Sequence, residues 1–433
     1  MKKVNVGIIG FGTIGAGVAK ALLSRRVFLR EKSGVDINVA WICDKDLKTK
    51  RPVKVSKKIL TSSIGKVLYD PKVDIVVELV GGVKPAKDIV MEALRNGKSV
   101  VTANKALLSD SGGEIFGLAN ELGLSVGFEA SVGGGIPIIR SMKEGFVADR
   151  FELVYGIING TTNFILSKMA EEKITFDEAL AIAQSKGYAE RDPYLDISGG
   201  DSAHKLSVLA LLGFGVIAKH DDIFTEGITG IDQDDIEYAH QMGYSIKLLA
   251  IAKRSGDELE LRVHPTLIPK SHLLANVNGV YNAIFVKGDL VGENLFYGAG
   301  AGAAPTSSAV VSDIIAIAKN TSASCCGSIK PEKCMPIRRD VSGIKKMDDV
   351  KTRYYIKFLA TDKPGVLAKI SGILAKYNIS IASVTQKERR AGSAVPIVIM
   401  THELLEKNMS KALRQINKLN VIDRKMTRIR VED

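Results

Sequence analysis

The sequence predicts an α/β protein in three parts: an N-terminal doubly wound parallel sheet of the Rossmann type, an α+β middle region and a C-terminal ferredoxin-like module. Three observations predict it. Strand-like apolar runs alternate with helical patterns from residue 4 onward, a Gly-rich turn follows the first run, and the last 80 or so residues restart in the order βαββαβ. A chain of 433 residues also exceeds one ordinary core, since domains cluster near roughly 100 to 200 residues.

Val-Asn-Val-Gly-Ile-Ile-Gly at 4–10 is a short apolar run ending in glycine, hence a first strand, and Val18, Ala19, Leu22 and Leu23 give 16–26 helical spacing. Further strands fit 38–43, 73–80 and 99–102, with a helix over 88–96 between the last two. A strand over 125–130 runs into Ser131-Val132-Gly133-Gly134-Gly135-Ile136-Pro137, and this break places a domain boundary, giving a first domain of 1–130 and a second of 131–305. The second begins with a strand over 151–158 and continues with helices over 177–186, 202–212 and 236–252, while a helix over 306–320 is expected to pack back on the first domain. Periodicity fades between Asn320 and Val350, so 321–350 reads as a linker. In 351–433, strands over 354–360, 379–387, 394–401 and 421–431 and helices over 366–377 and 403–419 complete the split βαβ pattern.

Composition narrows the class. With 45% hydrophobic and 25% charged residues the chain matches an ordinary soluble globular protein. No stretch approaches the roughly 18 uninterrupted apolar residues of a membrane span, and Met1–Asn5 leads straight into a strand with no signal-peptide pattern. Four cysteines, at 43, 325, 326 and 334, are too few for a disulfide framework and fit a reducing cytoplasm. The three in the linker lack a nearby fourth ligand for a closed zinc site and read as free thiols. The net charge of +12 fits a Lys-rich surface or anionic small ligands, and no aromatic-interleaved basic motif points to nucleic acid.

Gly10-Phe11-Gly12-Thr13-Ile14-Gly15 matches G-x-G-x-x-G between a strand and a helix. There the glycines serve a tight turn, close approach of a pyrophosphate and close helix packing, and the helix N-terminus faces the phosphates. Signals for the ribose conflict. Asp44 stands at the end of the second strand as an acid for the 2′-OH would, yet Lys45, Lys48, Lys50, Arg51, Lys54, Lys57 and Lys58 follow, a solvated loop or a site for a 2′-phosphate. NAD and NADP both stay open. Hydride transfer from an alcohol needs a proton acceptor nearby, and Asp201 and Lys205 lie four apart at the start of a helix that continues Leu206, Val208, Leu209, Ala210, Leu211, Leu212. Such a pair on a buried helix places a lysine where it can exchange a proton.

Val101-Thr102-Ala103-Asn104-Lys105, Asn159-Gly160-Thr161-Thr162-Asn163, the 187–205 stretch and Tyr297-Gly298-Ala299-Gly300-Ala301-Gly302-Ala303-Ala304-Pro305-Thr306 together resemble the homoserine dehydrogenase family, in order and across most of residues 1–320. The resemblance implies reversible NAD(P)-dependent oxidation of homoserine to aspartate semialdehyde, on the route to threonine, methionine and isoleucine, in a homo-oligomer, dimer or tetramer, whose middle domain holds substrate and dimerises. It implies Lys205 as proton donor or acceptor, Lys105 between cofactor and substrate, and Glu190 and Asp201 on the substrate's ammonium or hydroxyl groups. Gly160, Thr161 and Tyr188 would also bind substrate, and Gly81, Gly82, Thr102 and Gly302 would join the Gly10–Gly15 turn, Asp44, Lys45 and Lys105 around the cofactor. Asn159–Asn163 reads either as a pocket turn or as a helix N-cap made by Thr161 or Thr162, and Gly298–Ala304 as backbone near the nicotinamide or as a flexible loop. Glu129 with the carbonyls of Val132, Gly134 and Ile136 resembles the family's monovalent-cation site for Na+ or K+, with an ion-free structural turn as the alternative.

The tail, through Thr361-Asp362-Lys363-Pro364-Gly365-Val366-Leu367, resembles an ACT domain. That implies threonine as an effector near Asp362, Pro364, Gly365, Val366, Leu367 and Asn378, against an inert pairing module. Two rival readings meet contrary residues. A thiol-dependent semialdehyde dehydrogenase needs a catalytic cysteine, and residues 131–305 contain none. A non-catalytic amino-acid and dinucleotide sensor is opposed by the intact Lys105, Glu190, Asp201 and Lys205.

Overall fold

The computed structural model describes residues 3–324, 341–386 and 394–432. The chain forms two compact units, one holding residues up to Phe151, His204–His220 and the segment from Asn282, the other Glu152–Ala203, Asp221–Tyr281 and the segment from Val341.

In the first unit six parallel strands, β1 (Lys3–Ile9), β2 (Asp36–Cys43), β3 (Leu60–Thr61), β4 (Ile75–Glu78), β5 (Ser99–Thr102) and β6 (Val126–Gly127), lie in the order β3-β2-β1-β4-β5-β6. This is the doubly wound order, and its direction reverses between β1 and β4, where a dinucleotide binds at the strands' carboxyl ends. All residues of β4 and β5 are buried, as expected of parallel strands covered on both faces. The helix Ala303–Ser324 shares this core, where Val310, Ile314 and Ala318 join Val6, Val18 and Ala19. The strand expected over 125–130 shrinks to β6 because the Glu129 N–H turns away from the ladder to donate to the buried Asp313 carboxylate at 2.8 Å. The buried Cys43 lies on β2.

Further strands are β7 (Phe151–Ile157), β8 (Phe224–Thr225), β9 (Tyr244–Ser255), β10 (Glu258–Pro269), β11 (Tyr281–Gly288), β12 (Gly292–Ala299), β13 (Gly343–Ile344), β14 (Lys351–Thr361), β15 (Ile381–Gln386), β16 (Ala394–Thr401), β17 (Leu404–Leu405) and β18 (Ile422–Val431). The helix expected over 236–252 is instead a helix Gln233–Gln241 followed by β9. Gly243, at φ 83°, ends the helical run. The apolar stretch after it is buried along most of its length and pairs with β10 residue for residue, and such a stretch has no periodicity to separate helix from strand.

The second unit runs β7-β9-β10-β18-β14-β16-β15. Its last four strands, with helices Val366–Lys376 and Glu406–Ile416, form the expected ferredoxin-like module around Ile356, Phe358, Ile370, Met409 and Leu413. The module is continuous with the preceding sheet, because β18 lies parallel to β10 with Thr266 opposite Arg430 and Leu267 opposite Val431. Charged side chains, most of them buried, line this seam. Arg430 and Arg428 each bond both Glu406 and Glu226, and Glu432 accepts from Arg262 at 2.7 Å and from the Tyr155 hydroxyl. Cys325, Cys326 and Cys334 and most of the linker lie outside the described residues. Among the described residues no helix is long and apolar enough to cross a membrane.

Candidate active site

The Gly-rich turn has the stereochemistry that its sequence predicts. A Cβ at Gly10 (φ 103°) would sit 2.5 Å from the Leu79 carbonyl oxygen, and one at Gly15 would sit 1.9 Å from that of Gly10. Gly12 has nothing within 4 Å, which leaves open the face a pyrophosphate approaches. Thr13 and Ile14 start the helix Thr13–Ser24. Asp44 accepts the Phe11 N–H at 2.5 Å through one oxygen and the Asp46 N–H at 2.8 Å through the other, while Lys45 is exposed. Arg51, from the cationic run, donates Nε–H to the Phe11 carbonyl at 2.6 Å and lies over the Phe11 ring, 5.7 Å from its centroid. The nearby cavity of about 1620 Å³ touches this motif only at Gly12 and Thr13 and continues along the helices Thr13–Ser24 and Ala303–Ser324. It is therefore not the crevice at the strand ends.

Across the switch point, Gly81 and Gly82 (φ 73° each) follow β4 and Thr102 ends β5. A residue that sequence reasoning passed over ties them together. Buried Glu78 accepts the Thr102 hydroxyl at 2.6 Å and the Val80 N–H at 2.8 Å, and desolvation raises its pKa against those two bonds. Its signal was an acid inside the apolar run Ile75-Val76-Val77-Glu78-Leu79-Val80. Asn104 then caps the helix Lys105–Leu122, accepting from Leu107 N–H at 3.0 Å and donating to the Gly82 carbonyl at 2.6 Å. Lys105 is thus the first residue of a helix anchored on the β4 and β5 ends.

In the second unit β7 leads into Asn159, and the helix N-cap here is Asn159 rather than Thr161 or Thr162: its Oδ1 accepts the Thr162 N–H at 2.8 Å. The Asn159 amide donates to Asp196 at 2.7 Å and to Asp201 at 2.9 Å. Asp196 was not singled out in the sequence, because one more acid in an acidic stretch carries no periodic signal. Thr161 donates its hydroxyl to the Tyr188 carbonyl at 2.7 Å, and Tyr188 sets its half-exposed ring edge-on to Phe164. A Cβ at Gly160 would meet the Val280 carbonyl oxygen at 2.7 Å. Glu190, exposed, follows this loop, its carbonyl accepting from Gln184 at 3.2 Å. Asp201 and Lys205 lie one turn apart on the helix Gly200–Phe214, 3% and 9% exposed, and the division between the units passes between them.

Two glycine-rich segments, read separately in the sequence, meet within the first unit. Gly135 N–H donates to the Ala299 carbonyl at 2.9 Å, and a Cβ at Gly134 would lie 2.5 Å from the Gly300 carbonyl oxygen. Gly302 (φ 115°) begins the following helix by accepting from Thr306 N–H. The Glu129 carboxylate accepts the N–H groups of Ile139 at 2.8 Å and Arg140 at 2.9 Å, so it anchors the start of a helix. Val132, Gly134 and Ile136 supply main-chain carbonyls at this turn. Among the described residues no group of three His, Cys, Asp or Glu side chains suits a metal ion. In the C-terminal module, Asp362, Pro364, Gly365, Val366 and Leu367 line a cavity of about 500 Å³ together with Gln386 and Ile397. Asn378, at φ 55°, does not line it.

Comparison with known proteins bears on this arrangement along the whole chain. Residues 137–315 match the homoserine dehydrogenase family model, 10–129 the homoserine dehydrogenase NAD-binding domain, and 354–421 the ACT domain. A homoserine dehydrogenase of Neisseria gonorrhoeae is 43% identical over 100% of this chain and 99% of its own. The crystal structure of a homoserine dehydrogenase from Thiobacillus denitrificans superposes with a TM-score of 0.92 at 43% identity, covering 100% of this chain and 99% of that one. That of Staphylococcus aureus homoserine dehydrogenase at pH 6.5 gives 0.79 at 32% identity with the same coverage. The chain therefore is a member of the homoserine dehydrogenase family, NAD(P)-dependent oxidoreductases.

Proposed function

We propose that Lys205 takes the hydroxyl proton of L-homoserine as it is oxidised to L-aspartate 4-semialdehyde, and returns it in the reverse reaction. The observation that carries this reading is the start of the helix Gly200–Phe214, where Asp201 and Lys205 share a face one turn apart and are both largely dry. Bound NAD(P) supplies the hydride acceptor. Asp201 and Glu190 meet the substrate's ammonium and hydroxyl groups, where opposite charge and hydrogen bonding reinforce one another. Lys105 stands at the cofactor side, and Gly160, Thr161 and Tyr188 shape the substrate turn. The test is reduced-cofactor absorbance with homoserine and NAD or NADP. Lys205→Ala should lose about 10²- to 10⁴-fold in turnover while cofactor affinity is kept. Retained turnover would remove Lys205 from the role, and no reduction by the folded wild type would favour the sensor.

NADP is the cofactor better supported by the Gly-rich turn. Both oxygens of Asp44 are engaged by backbone N–H groups. Arg51 donates to the carbonyls of Phe11, Thr49 and Asp46 and pairs with the Asp46 carboxylate at 3.6 Å, so a guanidinium is held beside the turn where a 2′-phosphate would be received. Na+ or K+ is proposed at residues 129–136, with Glu129 and the carbonyls of Val132, Gly134 and Ile136 as ligands, since hard oxygens suit such ions. The Glu129 carboxylate also accepts the Ile139 and Arg140 N–H groups. A homo-oligomer is supported by exposed Leu290, Val291 and Tyr297 on and beside β12.

Threonine regulation through the ACT module is supported by a continuous route to the substrate turn. Arg428 and Arg430 on β18 hold Glu226 at 2.6 Å each. The next residues, Gly227 and Ile228, press on the segment that carries Asp196: Ile228 N–H donates to the Ile197 carbonyl at 2.9 Å, and a Cβ at Gly227 would lie 2.2 Å from that oxygen.

A further inference from the structure

We propose that Lys247 is a positioning residue for the substrate turn: its buried ammonium group holds the loop 277–281 against Gly160, and so fixes the start of the helix that presents Gly160 and Thr161 to homoserine. The inference rests on the reading of Gly160 and Thr161 as substrate-binding residues and adds what sets them in place.

Lys247 lies on β9 and is 3% exposed. An ammonium group has three donors, and here each has a neutral acceptor: the Val277 carbonyl at 2.6 Å, Asn278 Oδ1 at 2.9 Å and Asn163 Oδ1 at 3.3 Å. Buried Asn163 completes the grip from the helix Gly160–Glu172. Its NH2 group donates to the carbonyls of Val277, Gly279 and Tyr281 at 3.1, 3.0 and 3.2 Å. Carbonyls on one side and an ammonium donor on the other settle which end of this amide is oxygen. One turn further along the helix, Ser167 Oγ accepts the Gly279 N–H at 3.1 Å. The loop held in this way sets its Val280 carbonyl oxygen 2.7 Å from the Cβ position of Gly160, so a shift of the loop moves the wall on which the turn is packed.

A methionine of similar length would fill the same place with no charge to desolvate. Burial pulls the lysine pKa down to about 8, which means that the cation opposes folding here. What the ammonium supplies, and an apolar chain lacks, is direction. Its three bonds tie β9, the helix and the loop to one point, and no two of these segments are neighbours in the sequence. A buried charge on neutral acceptors is therefore a device for geometry more than for stability.

Lys247→Met removes three hydrogen bonds and one buried charge together, so its melting temperature should stay within a few degrees of wild type. KM for homoserine should rise about 10- to 100-fold, since about 1 Å at a substrate-binding group is worth that much. The turnover number and KM for the dinucleotide should change by less than about threefold. In Lys247→Ala, propylammonium replaces the atoms lost beyond Cβ and can enter from the adjoining cavity of about 400 Å³. It should lower the raised KM by about threefold or more, and propanol should not. Wild-type KM in folded Lys247→Met, no recovery with propylammonium, or equal recovery with propanol would overturn the proposal. Thr161→Val is measured alongside. A wild-type KM there would remove the substrate-binding reading of the turn and the inference with it, while a raised KM there with wild-type KM in Lys247→Met would remove only the inference about Lys247. Should Lys247→Met melt early, Asn278→Ala, at an exposed position that gives up one acceptor, decides the outcome: a raised KM supports the proposal and a wild-type KM overturns it.

Discussion

Gly227→Ala tests the proposed route between the C-terminal module and the turn at Asn159 with one methyl group. Built on the present backbone, the new Cβ would lie 2.2 Å from the Ile197 carbonyl oxygen and 2.7 Å from Ser198 Cα. Ordinary contacts are roughly 3.5 Å, so about 1 Å of movement is needed. Every near neighbour is backbone, so no side chain can rotate away. Overpacking of this kind costs about 1–3 kcal/mol, with a fall of about 2–4 °C in melting temperature per kcal/mol. The displaced segment carries Asp196 and leads directly into Gly200 and Asp201, the latter proposed to meet the substrate, and about 1 Å at a substrate-binding group is worth up to about 100-fold. Steady-state kinetics should therefore show KM for homoserine raised about 10- to 100-fold, with KM for the dinucleotide unchanged. Gly230→Ala is the control: it lies on the same loop, has nothing within 4 Å of its Cβ position, and should behave as wild type. A Gly227→Ala enzyme with lowered melting temperature and wild-type KM for homoserine would refute the route.

Two further outcomes follow from the geometry. Arg51→Gln removes the cation beside the Gly-rich turn and should raise KM for NADP about tenfold or more, with KM for NAD moved less than threefold; equal effects on both cofactors would leave Arg51 a purely structural residue. Lys247, 3% exposed, donates to the Val277 carbonyl at 2.6 Å and to Asn278 at 2.9 Å, yet burial lowers its pKa to about 8. The unfolded chain, with a lysine pKa near 10.4, binds more protons between those values, so through this group stability rises as pH increases above about 8. Thermal melts at pH 7 and 9.5 should show wild type gaining about 2 kcal/mol relative to Lys247→Met across that interval; a constant difference between the two proteins would refute the assignment.

Local chemistry alone made much of the protein legible. The Gly10–Gly15 turn, the alternating strands and helices and the βαββαβ tail are short-range patterns, in which each glycine, apolar period or breaker acts on its immediate neighbours, and the structure keeps them. Asp201 and Lys205 were readable for the same reason, since one helical turn fixes their relation whatever surrounds it. The misread helix over 236–252 shows where local reasoning stops: Ile246–Ala252 is a strand because β10 pairs with it, and no residue inside the segment says so.

The rest depended on contacts between residues far apart in the sequence. Asn159 lies 37 residues from Asp196 and 42 from Asp201, and only the fold makes one amide answer both. Glu78 became a hub because β4 and β5 are neighbours. The C-terminal tail reads as a separable module, yet β18 joins β10, and Arg428 and the buried Arg430 reach across to Glu226, so the module shares a sheet with β7, which leads into Asn159. The sequence by itself determined the class of chemistry and the order of the modules, because motifs and periodicity are local. Tertiary structure alone decided which carboxylates are paired and how the modules are coupled, because a buried charge takes whichever partner the fold brings within hydrogen-bonding distance.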